Sequence, residues 1–238
     1  MQRYFVGSAE DGSLVFSEEQ VRHIVRVMRM KPDDSIVCIE GGKPYLCRIR
    51  SIDPLFAEKV SELEEDRELP GSVTLLYCLP KGDKLDLVLQ KATELGVDEI
   101  VLVQSERCVA KIRQEDVGRK IRRFQSIVRE AAEQSRRLRI PRVESVVPFD
   151  RIGEYRFDVA LIAYENETGT SLLSALEGMK KEASVGILIG SEGGFSPEEV
   201  VFAQNQGYRP VSLGKRILRS ETATFYALSL IGSRMEGE

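Results

Sequence analysis

The stretch that most constrains this chain runs from Ser184 to Ala223, which reads twice as strand, glycine loop and helix. Val185 to Ile189 is short, apolar and β-branched, so it predicts a strand buried on both faces. Gly190-Ser191-Glu192-Gly193-Gly194 follows it. Ser196, Pro197 and Glu199 then predict a capping box with proline at the first helical position, and Gly207 a stop. Val211-Ser212-Leu213 leads into the second loop, Gly214-Lys215-Arg216-Ile217-Leu218-Arg219, and a helix from Thr222. Glycine loops at the carboxyl ends of strands are where an open α/β sheet takes a ligand. Neither loop continues into Gly-Lys-Ser/Thr or repeats Gly-x-Gly-x-x-Gly, which excludes the common phosphate cradles. Glycines that only permit tight turns are the ordinary alternative. Two such loops flanking one helix, with Arg219 and Glu221 opening the next, favour a site.

The rest of the chain divides in two. Residues 1–70 read as a small β-rich domain with strands at Tyr4 to Val6, Leu14 to Phe16, Ser35 to Ile39 and Tyr45 to Ile49. Gly41-Gly42 marks a hairpin. Ser17 caps a helix expected to reach Met30; on it Arg22, Arg26 and Arg29 share one face while Val21, Ile24, Val25 and Met28 face the core. The polar run Glu62 to Gly71, ending in Pro70-Gly71, is the expected boundary. Residues 71–238 alternate strand and helix: strands at Val73 to Cys78, Glu99 to Val103, Asp158 to Ala163, Val185 to Ile189 and Pro210 to Leu213. Helices fall at Lys84 to Leu95, Gln114 to Leu138, Ser171 to Lys181, Pro197 to Gln206 and Thr222 to Met235. That alternation predicts a mostly parallel sheet covered by helices on both faces.

Composition narrows the partner class. A net charge of −4 conceals twelve Lys or Arg against four Asp or Glu between Arg107 and Arg142. Most of such a run is a solvated face, yet clustered arginines on an acidic protein favour a polyanion. His23 is the single histidine, and Cys38, Cys47, Cys78 and Cys108 lie far apart without a C-x-x-C pair. Neither a metal site nor a disulfide framework is indicated. No run reaches membrane-span length and no signal peptide is read at the start, so a cytoplasmic protein without membrane partners is expected.

Further stretches carry a family resemblance: Lys81-Gly82-Asp83-Lys84, Gln90-Lys91-Ala92-Thr93-Glu94-Leu95-Gly96-Val97, Ser105-Glu106-Arg107, and Glu130 to Arg136 with Pro141. With the two glycine loops, and with Arg3, His23 and Val27-Met28-Arg29 near the start, they resemble the RsmE family of SPOUT-class methyltransferases. That family methylates N3 of a uridine in 16S ribosomal RNA. Ser191 stands where the family usually has proline, Met28 in a usual leucine position, and Asp33 where the family has glycine. The resemblance spans nearly the whole chain, in order. It implies an α/β SPOUT-type parallel sheet with a C-terminal trefoil knot, preceded by a PUA-like β-barrel that binds RNA.

The resemblance also implies S-adenosylmethionine as cofactor, held by Ile189, Gly190, Gly193, Gly194, Leu213, Gly214, Ile217 and Leu218. Methylating uridine N3 requires positioning, a route for the departing proton, and positive charge where O2 and O4 become negative. Arg219, Glu221 and Glu192 are the catalytic candidates: Arg219 to grip the base or its phosphate, Glu221 to accept the proton, Glu192 to lie near the methyl group. Each has a plainer reading, as a surface arginine, a helix-N-terminal acid and a loop-ordering carboxylate. The RNA-binding candidates are Arg3, Arg22, His23, Arg26, Arg29, Lys81, Lys84, Lys91, Arg107 and Arg136, although Lys91 and Glu94 at i, i+3 can simply pair. The expected partners are 16S rRNA in the small ribosomal subunit and a second copy of the chain, through Ala223, Tyr226, Ala227, Leu230 and Ile231 on the last helix. Ribose 2′-O-methylation of tRNA or rRNA by a sister SPOUT enzyme, or a non-catalytic assembly factor, are the competing readings.

Overall fold

The computed structural model describes residues 1–237. The chain forms two units: one is Met1–Glu68 with Ala132–Arg139, the other Leu69–Ala131 with the chain from Ile140 onward.

The first unit is built on β1 (Arg3–Phe5), β2 (Gly7–Ser8), β3 (Leu14–Val15), α1 (Glu18–Arg22), β4 (Ser35–Glu40), β5 (Lys43–Ile52) and β6 (Leu55–Glu62). β1, β4, β5 and β6 are ordered in one four-stranded sheet, with β1 parallel to β4 and the other pairs antiparallel. Tyr4, Ile24, Ile36, Cys38, Cys47 and Ile49 bury its core. β6 was not legible as a strand, because four of its eight residues are polar or charged and its outer half is exposed on one edge of the sheet. The polar run after it is tied down rather than slack. Glu65 pairs with Arg3, and Glu68 accepts from Arg137 Nε (3.1 Å), Leu138 N (2.7 Å) and Arg139 N (3.1 Å).

Two helix expectations fail here. Ser17 does form a capping box with Gln20, but α1 ends at Arg22 and His23–Val27 continue as a π-turn. The wider i→i+5 winding discards the 3.6-residue phase on which a shared arginine face depended. Arg29 then leaves the helix altogether, in the left-handed region at φ 51°. Met28 is consequently 37% exposed and not a core residue.

The second unit contains β7 (Ser72–Cys78), α2 (Lys84–Glu94), β8 (Glu99–Gln104), most of α3 (Gln114–Gln134, whose last three residues belong to the first unit), β9 (Arg142–Pro148), β10 (Val159–Ala163), α4 (Leu172–Ala175), β11 (Ser184–Ile189), α5 (Pro197–Asn205), β12 (Arg209–Val211) and α6 (Ser220–Glu236). Six strands in the order β12-β10-β11-β7-β8-β9 form one sheet, and every pair is parallel. Leu75, Leu76, Val101, Leu102, Ile187 and Leu188, fully buried mid-sheet, explain why these strands read as apolar runs. β9, with alternating polar residues at the sheet edge, was missed for the opposite reason. α3 stops four residues short of the expected Leu138, where Arg136 turns left-handed at φ 64°. α4 is a single turn instead of a helix reaching Lys181, and Gly178 breaks the chain beyond it at φ 72°. Among the described residues, no helix is long and apolar enough to cross a membrane.

Candidate functional site

Ala163, Ile189 and Val211 end three neighbouring strands, and the register aligns those ends: Ile162 lies beside Leu188, and Ala163 beside Val211. The three loops that leave them, 164–168, 190–195 and 212–219, enclose a cavity of about 760 Å³. This is the carboxyl edge of a parallel sheet, the edge at which such folds take ligands. Ile189, Gly190, Gly193, Gly194, Leu213, Gly214, Ile217 and Leu218 all line it, as do Glu192 and Arg219. The first of the three loops, with Tyr164, Glu165 and Glu167, was not anticipated. It contains no glycine pair, and its strand, Val159-Ala160-Leu161-Ile162-Ala163, ends without a punctuating residue.

Side chains behind the loops fix their backbone. The Ser220 hydroxyl lies 2.7 Å from the Gly190 carbonyl and 2.9 Å from the Tyr77 hydroxyl. A hydroxyl has one proton and a carbonyl can only accept, so Ser220 donates to Gly190 and accepts from Tyr77. Burial keeps the Tyr77 phenol neutral by pushing its pKa far up. Arg107 Nη1 donates to the Gly193 carbonyl at 3.1 Å. Glu199, which closes the expected capping box with Ser196, also accepts from Glu106 N at 2.8 Å, so the Ser105-Glu106-Arg107 segment is braced against α5. Gly194 (φ 63°) and Gly214 (φ 108°) occupy left-handed backbone that other residues adopt only under strain.

The acidic candidates meet at one lysine. Lys84 Nζ lies 3.2 Å from Glu192 and 3.3 Å from Glu221 Oε2. The second contact has the distance of an ion pair without hydrogen-bond alignment, for Glu221 Oε2 is buried and has no hydrogen-bond partner. Glu192 additionally accepts from Lys81 N at 3.2 Å. Burial pushes its carboxyl up, but the backbone N–H groups and the Lys84 ammonium outweigh that and hold it below the usual carboxylate range. Arg219 is the N-cap residue of α6, exposed at the cavity.

The RNA-binding candidates are scattered. Arg3 is 7% exposed and paired with Glu65 at 2.9 Å, so it is a buried residue of the first unit and not a surface contact. His23 Nδ1 is held 2.9 Å from the Tyr4 hydroxyl, whose pKa burial, with the nearby Glu133 charge, raises to about 12. Arg22, Arg26, Arg29 and Arg136 are exposed in the first unit. In the second, Lys91 pairs with Glu94 at 2.8 Å, as the plainer reading required, while Lys84 and Arg107 serve the loops and Lys81 supplies its backbone N–H. Of the α6 stripe, Ala227 and Ile231 are fully buried in the core; Tyr226 is exposed, and Ala223 and Leu230 are half-buried.

Residues 67–232 match the RNA methyltransferase domain and residues 16–60 the RNA methyltransferase PUA domain, and with them the parallel sheet and its loop-built cavity belong to an α/β methyltransferase of the SPOUT class. The chain belongs to the ribosomal RNA small subunit methyltransferase E family. It is 37% identical to the Bacillus subtilis member, over 99% of this chain and 98% of that one. The crystal structure of the Neisseria gonorrhoeae member, bound to S-adenosylmethionine, is 30% identical with a TM-score of 0.84, covering 96% of this chain and 95% of that one. A putative methyltransferase from Legionella pneumophila, also in complex with S-adenosylmethionine, is 30% identical with a TM-score of 0.85 and 97% coverage of both chains.

Proposed function

We infer that this protein is an S-adenosylmethionine-dependent methyltransferase of small-subunit ribosomal RNA, and that the methylated atom is N3 of a uridine in 16S rRNA. The three-loop cavity carries the reading. Its volume of about 760 Å³ falls within the range of small-molecule sites. Its lining suits the cofactor: Leu213, Ile217 and Leu218 offer an apolar wall for adenine, and the glycine loops bring backbone polar groups to the surface without side chains in the way. When bound, the cofactor supplies an electrophilic methyl group on a sulfonium.

The chain's own groups do the remaining work. Arg219, at the positive N-terminal end of α6, is placed to grip the base and to favour the charge that develops on O2 and O4. Glu192, bonded to Lys81 N and Lys84 and acidified by them, is a poor proton acceptor and acts as a fixed negative charge that orders its loop. Glu221 is the remaining candidate to receive the N3 proton; its Oε2 is buried beside Lys84 without a hydrogen bond and outside the cavity lining, so the transfer requires that side chain to turn toward the cavity. We further propose that the first unit is a PUA-like barrel presenting Arg22, Arg26, Arg29 and Arg136 to RNA phosphates. A trefoil knot around the cofactor loops, a homodimer formed in part through Tyr226, and a cytoplasmic location complete the reading.

The test is nucleoside mass mapping of 16S rRNA from cells lacking the protein, with and without re-addition of the purified enzyme and S-adenosylmethionine to their small subunits. A single 3-methyluridine is expected to vanish and return. An unchanged modification map would refute the assignment.

A further inference from the structure

One acidic side chain in the cavity is not engaged by the loops. Of the three glutamates that line it, Glu192 is bonded to Lys81 and Lys84, and Glu167 accepts from Gly169 N at 2.6 Å and Thr170 N at 2.9 Å. Glu165, two residues past the end of β10, has no hydrogen bond or ion pair with any described residue. Its carboxylate is nonetheless placed closely: Oε1 lies 2.7 Å from where a Cβ on Gly194 would sit. The third glycine of the first loop therefore leaves space that the Glu165 carboxylate occupies, and brings that carboxylate over the loop backbone.

Glu165 is exposed at the wall of the ligand cavity, and a carboxylate there without a cation of its own is open to a cationic N–H donor from the ligand. The cofactor of the proposed function offers one group of that kind. Its adenine and ribose are neutral and its sulfonium has no proton to donate, while its α-ammonium has three. We propose that Glu165 is the acceptor for the cofactor's α-ammonium, and that it selects donors with an intact amino-acid end. This rests on the cavity being the S-adenosylmethionine site. Glu165 is a binding residue in this account and takes no part in moving the N3 proton.

The experiment is isothermal titration calorimetry of the full-length protein and Glu165→Gln with three ligands: S-adenosylmethionine, S-adenosylhomocysteine and methylthioadenosine. The second lacks the sulfonium charge, and the third lacks the amino-acid end altogether. Glutamine keeps the length and one acceptor oxygen but not the charge, so a charge-assisted bond at a part-exposed site becomes a neutral one and affinity falls about tenfold. That loss is expected for S-adenosylmethionine and equally for S-adenosylhomocysteine, with methylthioadenosine unchanged. Equal loss for methylthioadenosine assigns Glu165 to the ribose or to the loop and overturns the proposal. Loss confined to S-adenosylmethionine assigns it to the sulfonium and also overturns it, as does full affinity for all three. Failure of the unsubstituted protein to bind any of them would instead refute the proposed function. Circular dichroism melting of both proteins confirms that the comparison is between folded chains.

Discussion

Replacing Ser220 with alanine tests how the first glycine loop is held. Ser220 is 5% exposed and Tyr77 is fully buried, so removing the hydroxyl strands two groups at once, the Gly190 carbonyl and the Tyr77 phenol. A buried polar group left without a partner costs about 1–3 kcal/mol, and the two share one site, so about 2 kcal/mol is expected. That corresponds to a fall of about thirtyfold in the folding constant and to roughly 4–8 °C in Tm for a chain of this size. Tyr77→Phe is milder, about 1 kcal/mol, because Ser220 keeps its bond to Gly190 and loses only an accepted one. The double variant should cost about 1 kcal/mol less than the two singles together, since phenylalanine removes the phenol that Ser220→Ala strands. Urea unfolding gives all four corners of the cycle. Calorimetry should show weakened S-adenosylmethionine binding in Ser220→Ala and near-normal binding in Tyr77→Phe, because only the former frees the loop. A Ser220→Ala cost below about 0.5 kcal/mol, or strict additivity, would show that no such hydrogen-bond chain braces the loop.

Three other outcomes are expected. Gly214→Ala and Gly207→Ala both force a residue into left-handed backbone (φ 108° and 94°) with nothing within 4 Å of the added methyl, so each should lose about 1–2 kcal/mol in thermal unfolding; only Gly214→Ala should also weaken cofactor binding. The Glu192 carboxyl is a stronger acid in the folded protein, so its contribution is complete above the ordinary carboxylate range and is lost as pH falls through its lowered value; Glu192→Gln should flatten that acid limb in a series of melting curves. Arg22→Ala with Arg26→Ala should reduce the log–log salt slope of RNA binding by about 0.9 or less per lost phosphate contact, measured by filter binding, and leave S-adenosylmethionine affinity unchanged.

The sequence was most informative where a local rule and the buried core agreed. Val185 to Ile189 is a central strand because its residues are apolar on both faces, and Ser196-Pro197-Glu199 caps α5 through hydrogen bonds between Ser196 and Glu199, three residues apart. The glycine loops were legible because Gly194 and Gly214 announce backbone that only glycine accepts without strain. What could not be read depends on contacts far apart in sequence. Ser220 reaches Gly190 across thirty residues and Tyr77 across 143, while Lys84 meets Glu192 and Glu221 from another helix. Edge strands also escape a hydrophobic pattern, as β6 and β9 show, because one of their faces is wet. The π-turn after Arg22 is the instructive failure. Its arginine spacing obeyed the α-helical period, and only the backbone could reveal that the period changes there.

The division of labour among these residues explains why the site is built on glycine and not on side chains. A cavity wall of backbone groups can approach a ligand closely, but a loop rich in glycine is costly to order because it has the most conformational freedom to lose. Here each loop is held from behind: Gly190 by Ser220, Gly193 by Arg107, the Glu192 turn by Lys81 and Lys84, and the 167–170 turn by the Glu167 carboxylate. The ordering cost is thereby met during folding and not during binding, which is what preorganisation means for affinity. Substitutions at Ser220 or Arg107 should then lower cofactor affinity through the loops they hold, for every ligand fragment alike, whereas Glu165 should act on one end of the ligand alone. The way a loss is distributed among ligand fragments therefore separates residues that hold the cavity in shape from residues that read what enters it.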